Sequence, residues 1–236
     1  VTQFQAQAYK ELLPADGPVR AQIMGAISPE KQDQAHRVKD FMNYQLMDQM
    51  KEYEPEFDQM LFYLPLTGST FKKVYYDELL GRAVSKFIQA EDLIVPYTAN
   101  SLDDADAIVH VIRMSKNDLR KQQVGGFYKD IELGEPPIDE SQIKSKQLEL
   151  EGVTANDQQR ESMYTILEVH TNLDLEDYPD VDENEEPTGI KLPYIITVEE
   201  ASQKVLSIRR NYEAEDPLKK KKNYFVQFKF LPGTGF

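Results

Sequence analysis

The run Leu61-Phe-Tyr-Leu-Pro-Leu-Thr-Gly-Ser-Thr-Phe-Lys-Lys-Val-Tyr-Tyr-Asp77 restricts the fold more than any other stretch of the chain. It joins the last turn of an apolar pattern of helical spacing (Phe57, Met60, Leu61, Leu64), across Pro65 and Gly68, to a β-like run of Phe71, Val74, Tyr75 and Tyr76. There is no room for a long loop, so the helix feeds the strand directly and the junction lies at a core. Gly68 falls where a positive φ is often required.

Upstream, Pro14, Gly17, Pro18 and Gly25 break residues 1–27 into short pieces that predict an irregular entry segment, with at most one helical stretch from Phe4 to Leu13. Ser28-Pro29-Glu30 is a helix start: a hydroxyl for the N-cap, a proline at the first helical position and an acid near the positive end of the dipole. The helix it opens places Ala35, Val38, Met42, Leu46 and Met50 on one face, widened by Phe41 and Tyr44, with Lys31, Arg37, Lys39 and Asp48 off it. Pro55, flanked by Glu54 and Glu56, opens a second helix, and the two are expected to pack as a pair.

After Gly68 the periodicity becomes that of strands. Phe71 to Tyr76, Arg82 to Ile88 and Leu93 to Tyr97 predict a three-stranded antiparallel meander, and Ala107 to Arg113 another strand. Ser115 to Asp118 reads as a capping box for a short helix ending at Gly125-Gly126. Asp130 to Gly152 is a polar connector, with helical character in Asp139 to Glu151, and strands follow at Tyr164 to Leu173, Pro193 to Val198, Lys204 to Asn211 and Asn223 to Phe230. The fold class is therefore α+β, a helical N-terminal part followed by antiparallel strand meanders. Its expected segments are helical 1–66, mixed strand and helix 67–129, the connector 130–160 and an antiparallel β part 161–236.

Composition narrows function by exclusion. No apolar run approaches the ~20 residues that span a bilayer, and the absence of cysteine removes thiolate zinc sites, disulfides and a cysteine nucleophile together. A reducing cytoplasm is compatible with this. A formal net charge of −14 opposes tight binding of phosphate backbones. Val1 in place of Met, and the Gly-rich turn at Phe236, make both ends look like cuts within a longer chain.

No motif for catalysis or ligand binding is complete in the sequence. Asp180-Val-Asp-Glu-Asn184 begins like a calcium loop, but Glu185 stands where glycine is needed and Lys191 where the closing glutamate belongs, so it reads as a solvated acidic loop. Pro232-Gly-Thr-Gly235 begins like a dinucleotide fingerprint without a preceding βαβ pattern, and reads as a turn at a strand end. His36, His110 and His170 fall in three different elements, and neither a nucleophile elbow nor a phosphate loop occurs. Lys219 to Lys222, with Arg209 and Arg210, form the one basic cluster, read as a solvated hairpin tip rather than a phosphate contact; Tyr75, Tyr76, Tyr97 and Tyr128 read as core or subunit-interface aromatics rather than a base-stacking platform. No catalytic, cofactor-binding or metal-binding residue is assigned, and no cofactor is expected.

The 61–77 run resembles the portal proteins of short-tailed double-stranded DNA bacteriophages. So do Gly81-Arg-Ala-Val-Ser-Lys-Phe87 with Ala90-Glu-Asp-Leu-Ile-Val-Pro-Tyr97, Asn117-Asp-Leu-Arg-Lys121 with Gly126-Phe-Tyr-Lys-Asp130, and Phe228-Lys-Phe-Leu-Pro-Gly-Thr-Gly-Phe236. The resemblance covers most of the chain. It implies a wing-region fragment of a structural, non-enzymatic subunit, preceding a channel-lining stem helix. It implies a ring of about twelve copies at one capsid vertex, located in the virion and, during assembly, in the host cytoplasm. The implied partners are the terminase large subunit, which hydrolyses the ATP, the tail adaptor, capsid and scaffold proteins, and double-stranded DNA passing through without tight sequence-specific binding; no membrane is involved. The alternatives are another phage structural component, such as a tail adaptor, and a metal-assisted hydrolase built on the acid-rich second half.

Overall fold

The computed structural model describes residues 1–78, 80–136, 163–181 and 186–231. The stretch Asp139 to Glu151, residues 182–185 of the acidic loop and the Pro232 to Gly235 turn lie outside the described residues. In chain order the elements are α1 (Thr2–Leu12), α2 (Pro29–Tyr44), α3 (Tyr53–Thr67), β1 (Ser69–Asp77), β2 (Arg82–Ile88), β3 (Leu93–Ile94), β4 (Ala107–Met114), α4 (Lys116–Val124), β5 (Tyr164–Leu173), β6 (Leu192–Glu199), β7 (Lys204–Arg210) and β8 (Phe225–Lys229). The class is α+β, and every strand pairing is antiparallel. The chain forms two compact units, one of residues 1–91, 100–103 and 223–236, the other of residues 92–99 and 104–222.

The first unit is built on the α3–β1 junction. The helix continues through Pro65 to Thr67 and stops at Gly68, whose φ of +77° and amide bond to the Leu64 carbonyl (2.9 Å) close the last turn. Phe230 N–H donates to the Gly68 carbonyl (2.9 Å), tying the residue after β8 to the same point. The sheet order is β2-β1-β8. The third strand is thus β8 and not the 93–97 segment expected, because only Leu93 and Ile94 are extended there and they pair with β4.

Two further expectations for this unit are corrected. Residues 1–27 hold the one helical stretch expected, as α1, but contribute more than an irregular entry, since Phe4, Ala8, Tyr9 and Leu13 pack with Phe57, Met60 and Leu61 of α3. Gln5 Nε2 donates to Asp58 Oδ1 (2.8 Å) and the Tyr9 hydroxyl donates to the Glu54 carboxylate, which pushes the tyrosine pKa up to about 12. The partner of α3 is therefore α1 and not α2. Ser28 caps α2 as expected, its Oγ accepting from Lys31 N (3.3 Å), yet α2 buries none of its 16 residues. It passes into a π-helical turn at Gln45–Gln49, whose Met47 reaches the core.

The second unit is the five-stranded sheet β3-β4-β5-β6-β7. Its register sets two faces. One carries Ile112, Met114, Tyr164 and Ile166, and a bulge between β6 and β7 adds Leu206; Leu119 of α4 and Tyr128 cover it, so that Ile166 and Leu206 are fully buried. Ser115 Oγ caps α4 by accepting from Asp118 N (3.1 Å). The opposite face carries Val109, Val111, Leu167, Val169, Ile196 and Val198, none of them fully buried.

Candidate functional site

Two clusters place ionisable groups within or beside apolar packing, one in each unit. Strand β1 enters its unit with Ser69, Thr70, Phe71 and Lys72 all buried. Register pairs Lys72 with Phe87 and Val226, and Phe87 packs into the same cluster as α3. The lysine is 4% exposed, and its Nζ lies 4.4 Å from the ring centre of Tyr53 and 5.1 Å from that of Phe57, two rings stacked 5.9 Å apart. Among the described residues its Nζ has no hydrogen-bond partner.

Burial pushes the Lys72 pKa down from 10.5 to about 8, against the pull of Glu56 and Glu52, which favour the charged form. Neither carboxylate is free to close on it. Glu52 bonds Arg82 Nη1 (2.6 Å), which holds its pKa below the ordinary value, and Glu56 Oε2 accepts from Phe87 N (2.8 Å). A lowered pKa is a property that buried nucleophilic lysines share, but this amine is 4% exposed. Its chemistry is that of a titratable charge enclosed between helix and sheet. Sequence reading passed over this group; the signal was a lysine inside an otherwise apolar strand start.

In the second unit, register brings together two histidines that the sequence placed in separate elements. His110 on β4 stands directly across from Glu168 on β5, and His170 Nε2 lies 2.7 Å from Glu168 Oε1, with His170 buried. Thr197, also buried, is the β6 neighbour of Glu168. These residues lie on one sheet face, with the His170–Glu168 hydrogen bond among them, and His36, exposed on α2, is not part of the row. Among the described residues no group of three metal-ligating side chains is placed to hold an ion.

The basic cluster is drawn apart by local partners. Lys219 pairs with Asp180, whose carboxylate also accepts from Thr188 Oγ1 (2.7 Å) and is held below the ordinary range by both. Lys222 pairs with Glu213 (2.5 Å), and Lys221 Nζ reaches the Ala105 carbonyl (3.3 Å). Arg209 lies 3.4 Å above the Phe127 ring while donating to the Phe127 carbonyl. Of the four tyrosines considered for stacking, Tyr128 is buried in the core, while Tyr76 and Tyr97 are exposed.

No protein-family model matches this chain, and no curated protein matches it.

Proposed function

We propose that this chain is part of the portal subunit of a short-tailed double-stranded DNA bacteriophage, a structural rather than catalytic component of the vertex through which the genome is packaged and ejected. The observation that carries the reading is the set of four resembling runs, in one order along the chain. They include buried residues of both units: Leu61, Leu64, Phe71, Val84, Leu93, Leu119 and Tyr128. A resemblance that reaches packing positions in both units is not confined to one loop.

The charge distribution supports a conduit. DNA that slides must not be gripped by released-counterion contacts, each of which adds to affinity and to salt dependence. This chain carries a net charge of −14, and Lys219 and Lys222 are engaged by acids of the same chain. The inferred partners are further copies of the chain in a ring of about twelve, the terminase large subunit, the tail adaptor and capsid proteins, in the virion and, during assembly, in the host cytoplasm.

Gold-labelled antibody raised against this chain tests the proposal on intact virions. A single labelled vertex per particle, on tailless heads as well as complete phage, is the expected result. Label on tails but absent from tailless heads would favour the adaptor, and no label on particles at all would leave the portal reading without its premise.

A further inference from the structure

Strand β2 is an edge strand of its sheet, and its outer side is met by acids of α3. The Val74 amide donates to the Tyr224 carbonyl just before β8 (2.8 Å), which fixes the alternation along β1: even-numbered residues bond toward β8 and odd-numbered ones toward β2. In this register the amides of Val84 and Lys86 turn to β1, and those of Ser85 and Phe87 turn away from the sheet. Both outward amides are taken. Glu56 Oε2 accepts from Phe87 N (2.8 Å), and the Glu52 carboxylate accepts from Ser85 N while bonding Arg82 Nη1 (2.6 Å). The same guanidinium donates to the outward carbonyl of Ala83 (3.3 Å). Two acids one helical turn apart thus meet two amides two strand residues apart, spacings of about 6 and about 7 Å.

Lys72 stands behind these bonds. Its register partner on β2 is Phe87, whose amide Glu56 takes, and the rings over its Nζ are Tyr53 and Phe57, which follow Glu52 and Glu56 in sequence. The pull that Glu56 and Glu52 exert on the ammonium is reciprocal, so the ammonium favours their ionised forms as well. The other charges about the site are Arg82 on β2 and, acting on it, Asp77 at the end of β1. Glu54 and Asp58 of α3 are held by Tyr9 and Gln5 of α1, and Lys73 and Lys86 are register partners on the opposite face of the sheet.

We propose that Glu52 and Glu56, with Lys72 behind them, form an acid-released clasp that holds the start of α3 against the β2 edge. While ionised, each carboxylate accepts a charge-assisted bond from an outward amide and offsets the enclosed ammonium. Protonation weakens both bonds and removes both negative charges, whereas Arg82 and Lys72 keep theirs in acid. The start of α3 is then left beside two cations, one of them enclosed without a hydrogen-bond partner among the described residues. Opening at this point hydrates the ammonium and frees the Ser85 and Phe87 amides, an edge of the kind that native sheets keep covered. The direction follows from Glu52. Arg82 holds its carboxyl below the ordinary glutamate value, so its share of the hold is complete above that value and is lost as pH falls through the lowered one. The proposal concerns residues 52–88 of the first unit alone and does not depend on the portal reading.

Amide exchange of the whole chain, followed residue by residue by nuclear magnetic resonance and corrected for the intrinsic effect of pH on exchange, reads the clasp. Between pH 7 and pH 3.5 protection at Ser85 and Phe87 is expected to fall about tenfold or more, the size of a bond to a charged group. Val84 and Lys86, whose amides turn to β1, should keep theirs. Glu56→Gln keeps an accepting oxygen and cannot ionise; it is expected to lower protection at Phe87 at pH 7 and to flatten its pH dependence, while Ser85 still titrates. Lys72→Met is expected to make the fall at both amides smaller, because the ammonium no longer favours the ionised acids, a change that loss of a merely space-filling lysine would not produce. Equal loss at Val84 and Lys86 (the whole sheet unfolding in acid), protection at Ser85 and Phe87 that does not vary with pH, an unaltered pH dependence at Phe87 in Glu56→Gln, or an unaltered fall in Lys72→Met would each overturn the proposal.

Discussion

Replacing Lys72 by methionine should make the first unit more stable, although it removes a charge and its ring contacts. In the folded protein the amine is 4% exposed and its pKa is lowered by burial from 10.5 to about 8. Below pH 8 both states carry the proton, and the folded state bears the full cost of enclosing it. Between pH 8 and 10.5 the unfolded chain binds the proton and the folded one does not, so stability rises with pH through that window. The displacement corresponds to roughly 3 kcal/mol at 1.36 kcal/mol per unit of pKa; water screening lowers the expected effect to about 2 kcal/mol. Lys72→Met is therefore expected to stabilise the unit by about 2 kcal/mol at pH 7, in line with other replacements of enclosed charges by apolar groups of similar volume. The wild type alone should gain about 1 kcal/mol from pH 7 to pH 9. That range stays below the ionisation of Tyr9, pushed to about 12, and of Tyr53, also raised by burial. Urea titrations read by deuterium pulse labelling of peptides spanning 53–77 report this unit by itself. A less stable methionine variant, with the same pH dependence as wild type, would refute the reasoning and show that the ring contacts outweigh desolvation.

Three further outcomes are expected. Gly68→Val should destabilise by about 1 to 3 kcal/mol in urea unfolding, through backbone strain at φ +77° alone, because a Cβ there meets no atom within 4 Å; Gly68→Asn should cost less, and equal costs would point to a steric cause. Ser115→Ala should cost about 1 kcal/mol by removing the α4 cap, with faster amide exchange at Asp118 as its local sign. Dialysis against a chelator should leave the melting temperature where it was, and a fall of several degrees would reveal a bound ion that holds the fold together.

Local chemistry made much of the fold legible. The Ser28 and Ser115 caps, the helix-to-strand passage at Gly68 and the extents of β2 and β5 follow from residue type and spacing, which act within a few residues. Among the expected pairings the β1–β2 hairpin followed from sequence, whereas the longer-range pairings did not, because they are decided by surfaces far apart in sequence. Phe225 to Lys229 read correctly as a strand, yet nothing in it names β1 as its neighbour, and the stripe on α2 looks the same whether its own chain covers it or not. For the same reason the row His110, Glu168 and His170 was hidden: it exists only once β4 and β5 are in register. Lys72 was hidden differently, since a basic residue in a strand pattern is normally assigned to the solvent side, and its burial depends on the two rings α3 brings over it.

The pairing of β1 with β8 also has a temporal side. The second unit is encoded entirely between these two strands, so during synthesis β1 leaves the ribosome about 150 residues before the strand that completes its sheet. At ~5–20 residues per second that is a wait of about 10 to 30 seconds, long compared with hairpin formation in microseconds. The β1–β2 hairpin and α3 must wait with one strand edge unsatisfied while the inserted unit folds, and only translation of β8 closes it. A ribosome stalled before residue 225 would thus hold a finished inner unit and an unfinished outer one, with an open strand edge for chaperones to shield.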